Sequence, residues 1–217
     1  MKYKLIIFDM DGTILNTIDD LSASLNYTLQ TCGYPVHTVE EVRNFVGNGI
    51  RKLIKSAVPE NTHEDEIDRL FEIFNKHYRI NCSDKTKPYE GITDLLKKLR
   101  SDGIKTAVVS NKADYAVQDL CRHYFDGLFD IAIGEKSGLR KKPYADSVNA
   151  VLKNLDICKE DAVYIGDSEV DIQTAANAEI NCIIVEWGFR DREFLLEQGA
   201  QVMVSDVKEL YDKLIMN

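Results

Sequence analysis

The chain has 217 residues, enough for one full domain and a smaller one. Its 44% hydrophobic and 29% charged residues are ordinary for a folded chain in water, and no apolar run reaches the roughly 20 residues of a membrane helix. With 36 acidic against 27 basic residues the net charge is −9, so nucleic acid and anionic membrane are poor partners. An anionic substrate would have to meet a concentrated local positive charge, such as a metal ion.

The start, MKYKLIIFDMDG, is only briefly basic and apolar and has no small-residue cleavage site, so no signal peptide is expected. Residues 5–8 predict a first strand that runs into Asp9 and Asp11. From about 16 to 83 no strand is expected. Ile18, Leu21, Leu25 and Leu29 mark one helix there, and Ile67, Leu70, Phe71, Phe74 and Tyr78 mark another. Two shorter helices are predicted around 38–45 and 48–57.

This helical stretch, 16–83, is expected to be a second domain inserted into a core made of 1–15 and 84–217. Past it, apolar strands at 106–109, 129–133, 162–165, 182–185 and 201–204 are interleaved with helical patterns. Ile92, Leu95, Leu96 and Leu99 form one, and Val148, Val151, Leu152 and Leu155 the next. Val207, Leu210, Tyr211 and Leu214 form the last. Short, unalternating strands between amphipathic helices predict an α/β fold, a parallel sheet covered on both faces. Five scattered cysteines without a C-x-x-C pair fit a reducing compartment, and a cytoplasmic location is expected.

The chemistry-bearing residues lie where strands end. Ligands of open parallel sheets bind beyond the C-terminal edge. Asp9 and Asp11 stand there, although Asp-Gly also suits a simple turn. "AVVSNK" delivers Ser110 and Asn111, donors for an anionic oxygen, although taken alone a helix cap is the favoured role. In "GLRKKPYAD" proline biases Lys142 toward an extended backbone just before a helix, whereas Arg140 and Lys141 read as solvated surface. "AVYIGDSEVDI" ends a strand in Gly166 and Asp167 with Asp171 four residues on. Acids there favour the helix dipole, but four carboxylates converging on one edge repel unless a cation lies among them. Oxygen-only ligands select a hard ion, Mg²⁺ before Zn²⁺ or Cu²⁺.

Asp9-x-Asp11-Gly12-Thr13, Ser110-Asn111, Lys142-Pro143 and Gly166-Asp167-Ser168-x-x-Asp171 resemble, in order and spacing, the four motifs of the haloacid dehalogenase superfamily. The helical insertion resembles that superfamily's small cap. "TIDDLSASLNYTL", "VGNGIRKLI", "PYEGITDLL" and "VEWGFR" make the chain most similar to the phosphoglycolate phosphatase group. The resemblance implies a three-layer Rossmann-like core and an Mg²⁺-dependent phosphatase of a small phosphorylated metabolite.

In that scheme Asp9 attacks phosphorus and Asp11 is general acid, then base. Asp9, the Asp11 carbonyl and Asp167 would bind the metal, supported by Asp171. Ser110, Asn111 and Lys142 would hold phosphoryl oxygens, with Gly12 in the same loop. In the cap, Gly47, Asn48 and Gly49 could present N–H groups to the substrate and Arg51 could pair with a carboxylate or second phosphate. A helix–helix turn and a surface arginine explain these four as well. Three positions depart from the group's usual pattern: Asn16 for an acid, Ala145 for a second proline, and Glu179 for a glycine.

Other readings keep the fold and change the substrate to pyrophosphate or a nucleotide monophosphate. A phosphomutase would need an added basic cluster in the cap. A phosphoacceptor signalling domain would have no use for the D-x-D spacing or the large insertion. The protein is expected to be a monomer or homodimer.

Overall fold

The computed structural model describes residues 2–215. Strand β1 (Leu5–Phe8) is buried along its whole length, and its successive side chains feed opposite faces. Ile6 and Phe8 join one apolar cluster, Leu5 and Ile7 the other. That period of two, with both faces apolar, is the reason the strand sits at the centre of a covered sheet. A two-residue strand β2 (Leu15–Asn16) follows, then helices α1 (Ile18–Thr31), α2 (Val39–Phe45), α3 (Ile50–Ala57) and α4 (Glu64–Asn81). Strand β3 (Lys87–Pro88) returns antiparallel to β2, pairing Leu15 with Pro88 and Asn16 with Lys87. Both connections to the helical insertion therefore run side by side. The Asp20 carboxylate fastens the second one, accepting from the N–H groups of Lys85 and Thr86.

The remainder alternates helix and strand: α5 (Ile92–Ser101), β4 (Lys105–Ala113), α6 (Asp114–Phe125), β5 (Ile131–Glu135), α7 (Asp146–Leu155), β6 (Ala162–Gly166), α8 (Glu169–Ala178), β7 (Asn181–Val185), α9 (Arg192–Glu197), β8 (Met203–Val204) and α10 (Val207–Ile215). The six long-range strands form one parallel sheet in the order β5-β4-β1-β6-β7-β8. Apolar residues of α5, α6 and α10 pack on one face with most of the inserted helices' core, and α7 and α8 cover the other. The α/β fold with a helical insertion agrees with the expectation. The chain leaves β1 toward β4 and β5, then crosses back to β6, so the strand order reverses beside β1. Such a switch point opens a crevice at the C-terminal edge.

Three local differences have physical causes. The β2–β3 ribbon was not expected, because two-residue strands carry no period. Strand β4 continues to Ala113, past the predicted end at 109, because polar Ser110, Asn111 and Lys112 are buried rather than solvated. Helix α7 begins at Asp146, three residues beyond Pro143, and the Lys142–Pro143 peptide is cis. Among the described residues no helix is long and apolar enough to cross a membrane. All five cysteines are unpaired thiols.

Candidate active site

The Asp9 N–H continues the ladder of β1, donating to the Ile165 carbonyl at 2.8 Å. The chain then folds back, and the N–H groups of Thr13, Ile14 and Leu15 converge on the Met10 carbonyl. This loop needs a glycine at position 12: its φ is +82°, and a Cβ there would stand 2.3 Å from a carboxylate oxygen of Asp167. A second close approach comes from Gly188, where a Cβ would lie 2.2 Å from the Asp167 Cβ. Asp167 is thus pinched between two glycines. Thr13 Oγ1 donates to its Oδ1 at 2.9 Å and the Phe189 N–H to its Oδ2 at 2.8 Å.

Asp171 shows that a cap and a functional cluster can be one thing. Its Oδ2 accepts from the N–H groups of Asp167 and Ser168 and from Ser168 Oγ, closing the first turn of α8. Its Oδ1 takes Lys142 Nζ at 2.7 Å. The same ammonium reaches Asp9 Oδ2 at 2.9 Å and Tyr164 Oη at 3.0 Å, so its three donors are all engaged. Burial works against the Lys142 charge, but Asp171 and Asp9 outweigh it and hold the pKa well above the usual lysine value.

Asp11 faces a different lysine. Lys112 Nζ lies 2.7 Å from Asp11 Oδ1 and 2.5 Å from Tyr78 Oη, which comes from α4 of the insertion. Ser110 lies in β4 with its Oγ 3.3 Å from the Lys112 N–H, not at a helix start. Asn111 departs from its expected role: its side chain is occupied by the backbone of Lys142. Oδ1 accepts from the Lys142 N–H at 2.8 Å, and Nδ2 donates to the Lys142 and Gly47 carbonyls. It positions Lys142 and touches the insertion at once.

Oxygen atoms of Asp9, Asp167 and Asp171 lie within 4.8 Å of one another, and all three residues are buried. With Asp11 the site carries four carboxylates against the two ammonium groups of Lys112 and Lys142. With all four ionised, two negative charges would be left over. Burial, followed by the charges of Asp171 and Asp9, pushes Asp167 up to about 8. Burial raises Asp9 to about 6, against the pull of Lys142. An all-oxygen donor set with two uncompensated charges fits a hard divalent cation.

The insertion roofs this edge. A cavity of about 40 Å³ lies between the carboxylates and the apolar side chains of Leu21, Val46, Ile50 and Leu53. Arg190 latches the roof, donating to the Arg43 and Val46 carbonyls at 3.0 and 2.7 Å while Glu169 holds its Nε. Gly47 and Gly49 line the cavity. The contacts of this turn run the other way from expectation: the carbonyls of Gly47 and Asn48 accept from Asn111 and Lys141. Arg51 lies outside the cavity. Its exposed guanidinium pairs with Glu64 Oε2 at 2.7 Å and with Asp68, two acids of α4.

The structure thus gathers Asp9, Asp11, Gly12, Ser110, Asn111, Lys142, Asp167 and Asp171 at one edge, with Gly47 and Gly49 above them. Asn48 gives its carbonyl to Lys141 and does not line the cavity, and Arg51 stands apart. Sequence reasoning passed over Lys112, Gly188 and Arg190. For Lys112 the signal was its place in "VVSNK", directly after two residues already singled out.

The family model described as haloacid dehalogenase-like hydrolase matches residues 6–185. A phosphoglycolate phosphatase of Aquifex aeolicus is 31% identical, the match covering 98% of this chain and 99% of that one. Among solved structures, a provisionally assigned phosphoglycolate phosphatase of Lactobacillus delbrueckii subsp. bulgaricus is 42% identical. The two superpose with a TM-score of 0.94 over 100% of both chains. CbbY of Rhodobacter sphaeroides, solved in complex with phosphate, is 26% identical with a TM-score of 0.75 over 96% of each chain.

Proposed function

Because this chain belongs to the haloacid dehalogenase-like hydrolase family, we propose that it is an Mg²⁺-dependent phosphatase of a small phosphate monoester, with 2-phosphoglycolate as the substrate. One observation carries the chemistry: the two carboxylates of the D-x-D stretch are held by different lysines. Asp9 lies with Lys142 and the metal-competent pair Asp167 and Asp171. Asp11 is turned away to Lys112. Two acids one residue apart can then do different work.

In the first step an oxygen of the Asp9 carboxylate forms a bond to phosphorus as the ester P–O bond breaks, giving an aspartyl-phosphate. Asp11 supplies the proton that the leaving oxygen needs. In the second step Asp11 takes a proton from water as that water attacks phosphorus, and phosphate leaves Asp9 free again. Lys142, held by Asp171 and Tyr164, trades its Asp9 contact for a phosphoryl oxygen once Asp9 carries the phosphoryl group, and Ser110 Oγ donates to another. Mg²⁺ would be held by Asp9, the Asp11 carbonyl and Asp167, with Asp171 steadying Lys142 and the turn, and it would offset the charge of the phosphoryl group. Aspartate suits the nucleophile's task because it is ionised near neutral pH once its surroundings are neutralised, and its acyl-phosphate is labile.

Residues 16–83 form the cap in this proposal, opening on the paired connections at β2 and β3 and closing to exclude water. The cavity of about 40 Å³ is small, which supports a compact leaving group such as glycolate over a nucleoside. The name of the Aquifex relative supports the same substrate. The protein acts in the cytoplasm as a monomer or homodimer, without nucleic acid or membrane. The reading is tested by a screen of metabolite monophosphates, ranked by kcat/KM with and without Mg²⁺. 2-Phosphoglycolate is expected to lead, and EDTA to abolish turnover reversibly. Near-wild-type turnover by Asp9→Asn would refute the nucleophile assignment.

A further inference from the structure

The side of the cavity away from the carboxylate cluster is apolar except for one buried cation. Leu21, Val46, Ile50 and Leu53 give the leaving group nothing charged to meet. Lys142 has all three donors engaged on the phosphoryl side. Arg190 gives three of its five N–H groups to Glu169 and two cap carbonyls, and Glu169 pairs its charge. Lys112 is the exception. Lys112 lines the cavity, and its ammonium, hydrogen-bonded to Asp11 and Tyr78, has one further N–H.

We propose that Lys112 reads the leaving group, pairing through that N–H with a carboxylate carried by the substrate. The assignment rests on the phosphoglycolate reading and names the residue that would enforce it. Reach supports it. In that reading Asp11 hydrogen-bonds the leaving oxygen, and Lys112 lies 2.7 Å from Asp11. Two hydrogen bonds end to end on one carboxylate oxygen span at most about 6 Å, so the ammonium stands within reach of the far end of a two-carbon acid whose near end is bonded to Asp11. A carboxylate one carbon away from the ester oxygen falls within that span.

The environment supports it too. A lysine that served Asp11 alone could stand behind it in the core, but this one opens on the substrate space and is braced by a tyrosine of the cap. Tyr78 fixes the ammonium from above, so the complete carboxylate pocket exists only when the cap is closed. An analogue without the carboxylate would leave the third N–H unpaired in an apolar cavity, a stronger basis for rejection than a missing methylene.

The experiment compares 2-phosphoglycolate with 2-hydroxyethyl phosphate, in which a hydroxymethyl group replaces the carboxylate, in the wild type and in Lys112→Met and Lys112→Arg. The quantity read is the ratio of the two kcat/KM values, in which any general damage through Asp11 cancels. Wild type is expected to favour 2-phosphoglycolate. Lys112→Met is expected to lower that preference by about 100-fold, as for loss of one charge-assisted hydrogen bond, and Lys112→Arg to restore most of it. If the wild type prefers 2-phosphoglycolate and Lys112→Met keeps the preference, the Lys112 assignment is overturned and the substrate reading stands. If the wild type turns over both equally, the substrate reading and the assignment fall together. A measurement on the wild type alone guards against a variant that does not fold: glycolate should inhibit at least about tenfold more tightly than ethylene glycol. Equal inhibition overturns the assignment.

Discussion

Binding of Mg²⁺ should expel protons, and the number expelled should fall as pH rises. Without the ion, burial raises Asp167 to about 8 and Asp9 to about 6. At pH 7 a group titrating near 8 is roughly nine-tenths protonated and one near 6 roughly one-tenth, so the pair holds about one proton. Ion ligation requires both carboxylates ionised, so about one proton should leave per ion bound. The same arithmetic gives about two at pH 5 and about a tenth at pH 9.

Isothermal titration calorimetry in buffers of differing ionisation enthalpy counts these protons directly. The apparent affinity should rise about tenfold per pH unit near pH 7. Asp167→Asn should bring the count at pH 7 close to zero. A release below about 0.3 at pH 7, or one that does not change with pH, would refute the reasoning. It would mean that the hydrogen bonds from Phe189 and Thr13 outweigh burial at Asp167 and that the carboxylates are already ionised without the ion.

The same shifts set the stability of the ion-free protein. Both acids bind protons more tightly folded than unfolded, so stability should fall as pH rises from about 4 to about 8. The Asp9 shift alone is worth about 3 kcal/mol. Thermal melts should therefore show a larger Mg²⁺-induced rise in Tm at pH 8 than at pH 5, and a smaller one would contradict this. Gly188→Ala would push a methyl into Asp167 and is expected to weaken Mg²⁺ binding by about 10- to 100-fold, read by titration. Arg190→Met removes the donors to the Arg43 and Val46 carbonyls and should raise KM at nearly unchanged overall stability, with faster proteolytic cleavage around 43–49. Unaltered KM and cleavage would show that the latch does not hold the cap.

Much of the site was legible because its parts are contiguous in the chain. Asp9 and Asp11, Ser110 and Asn111, Lys142, and Asp167 and Asp171 each follow or close a strand, and strands of a parallel sheet bring such ends together whatever their separation. The contacts within that group were not legible. Lys112 meets Asp11 and Tyr78 across 101 and 34 positions, and no local pattern reports such a pairing. Arg51 looked available to a substrate, but Glu64 and Asp68 on the following helix neutralise it, which depends on how α3 packs against α4. Asn111 looked like an oxyanion donor, yet its amide is taken by the Lys142 backbone.

By itself, then, the amino-acid order determined the α/β class, the helical insertion after "FDMDGT" and the four acids and one lysine at the sheet edge. Those properties follow from period, strand ends and spacing, which are local. Only the tertiary structure decided which lysine serves which aspartate, which glycines press on Asp167, and that the insertion's underside is apolar with one cation in it. These are matters of distance between remote segments, settled when α4 of the insertion comes to rest over β4.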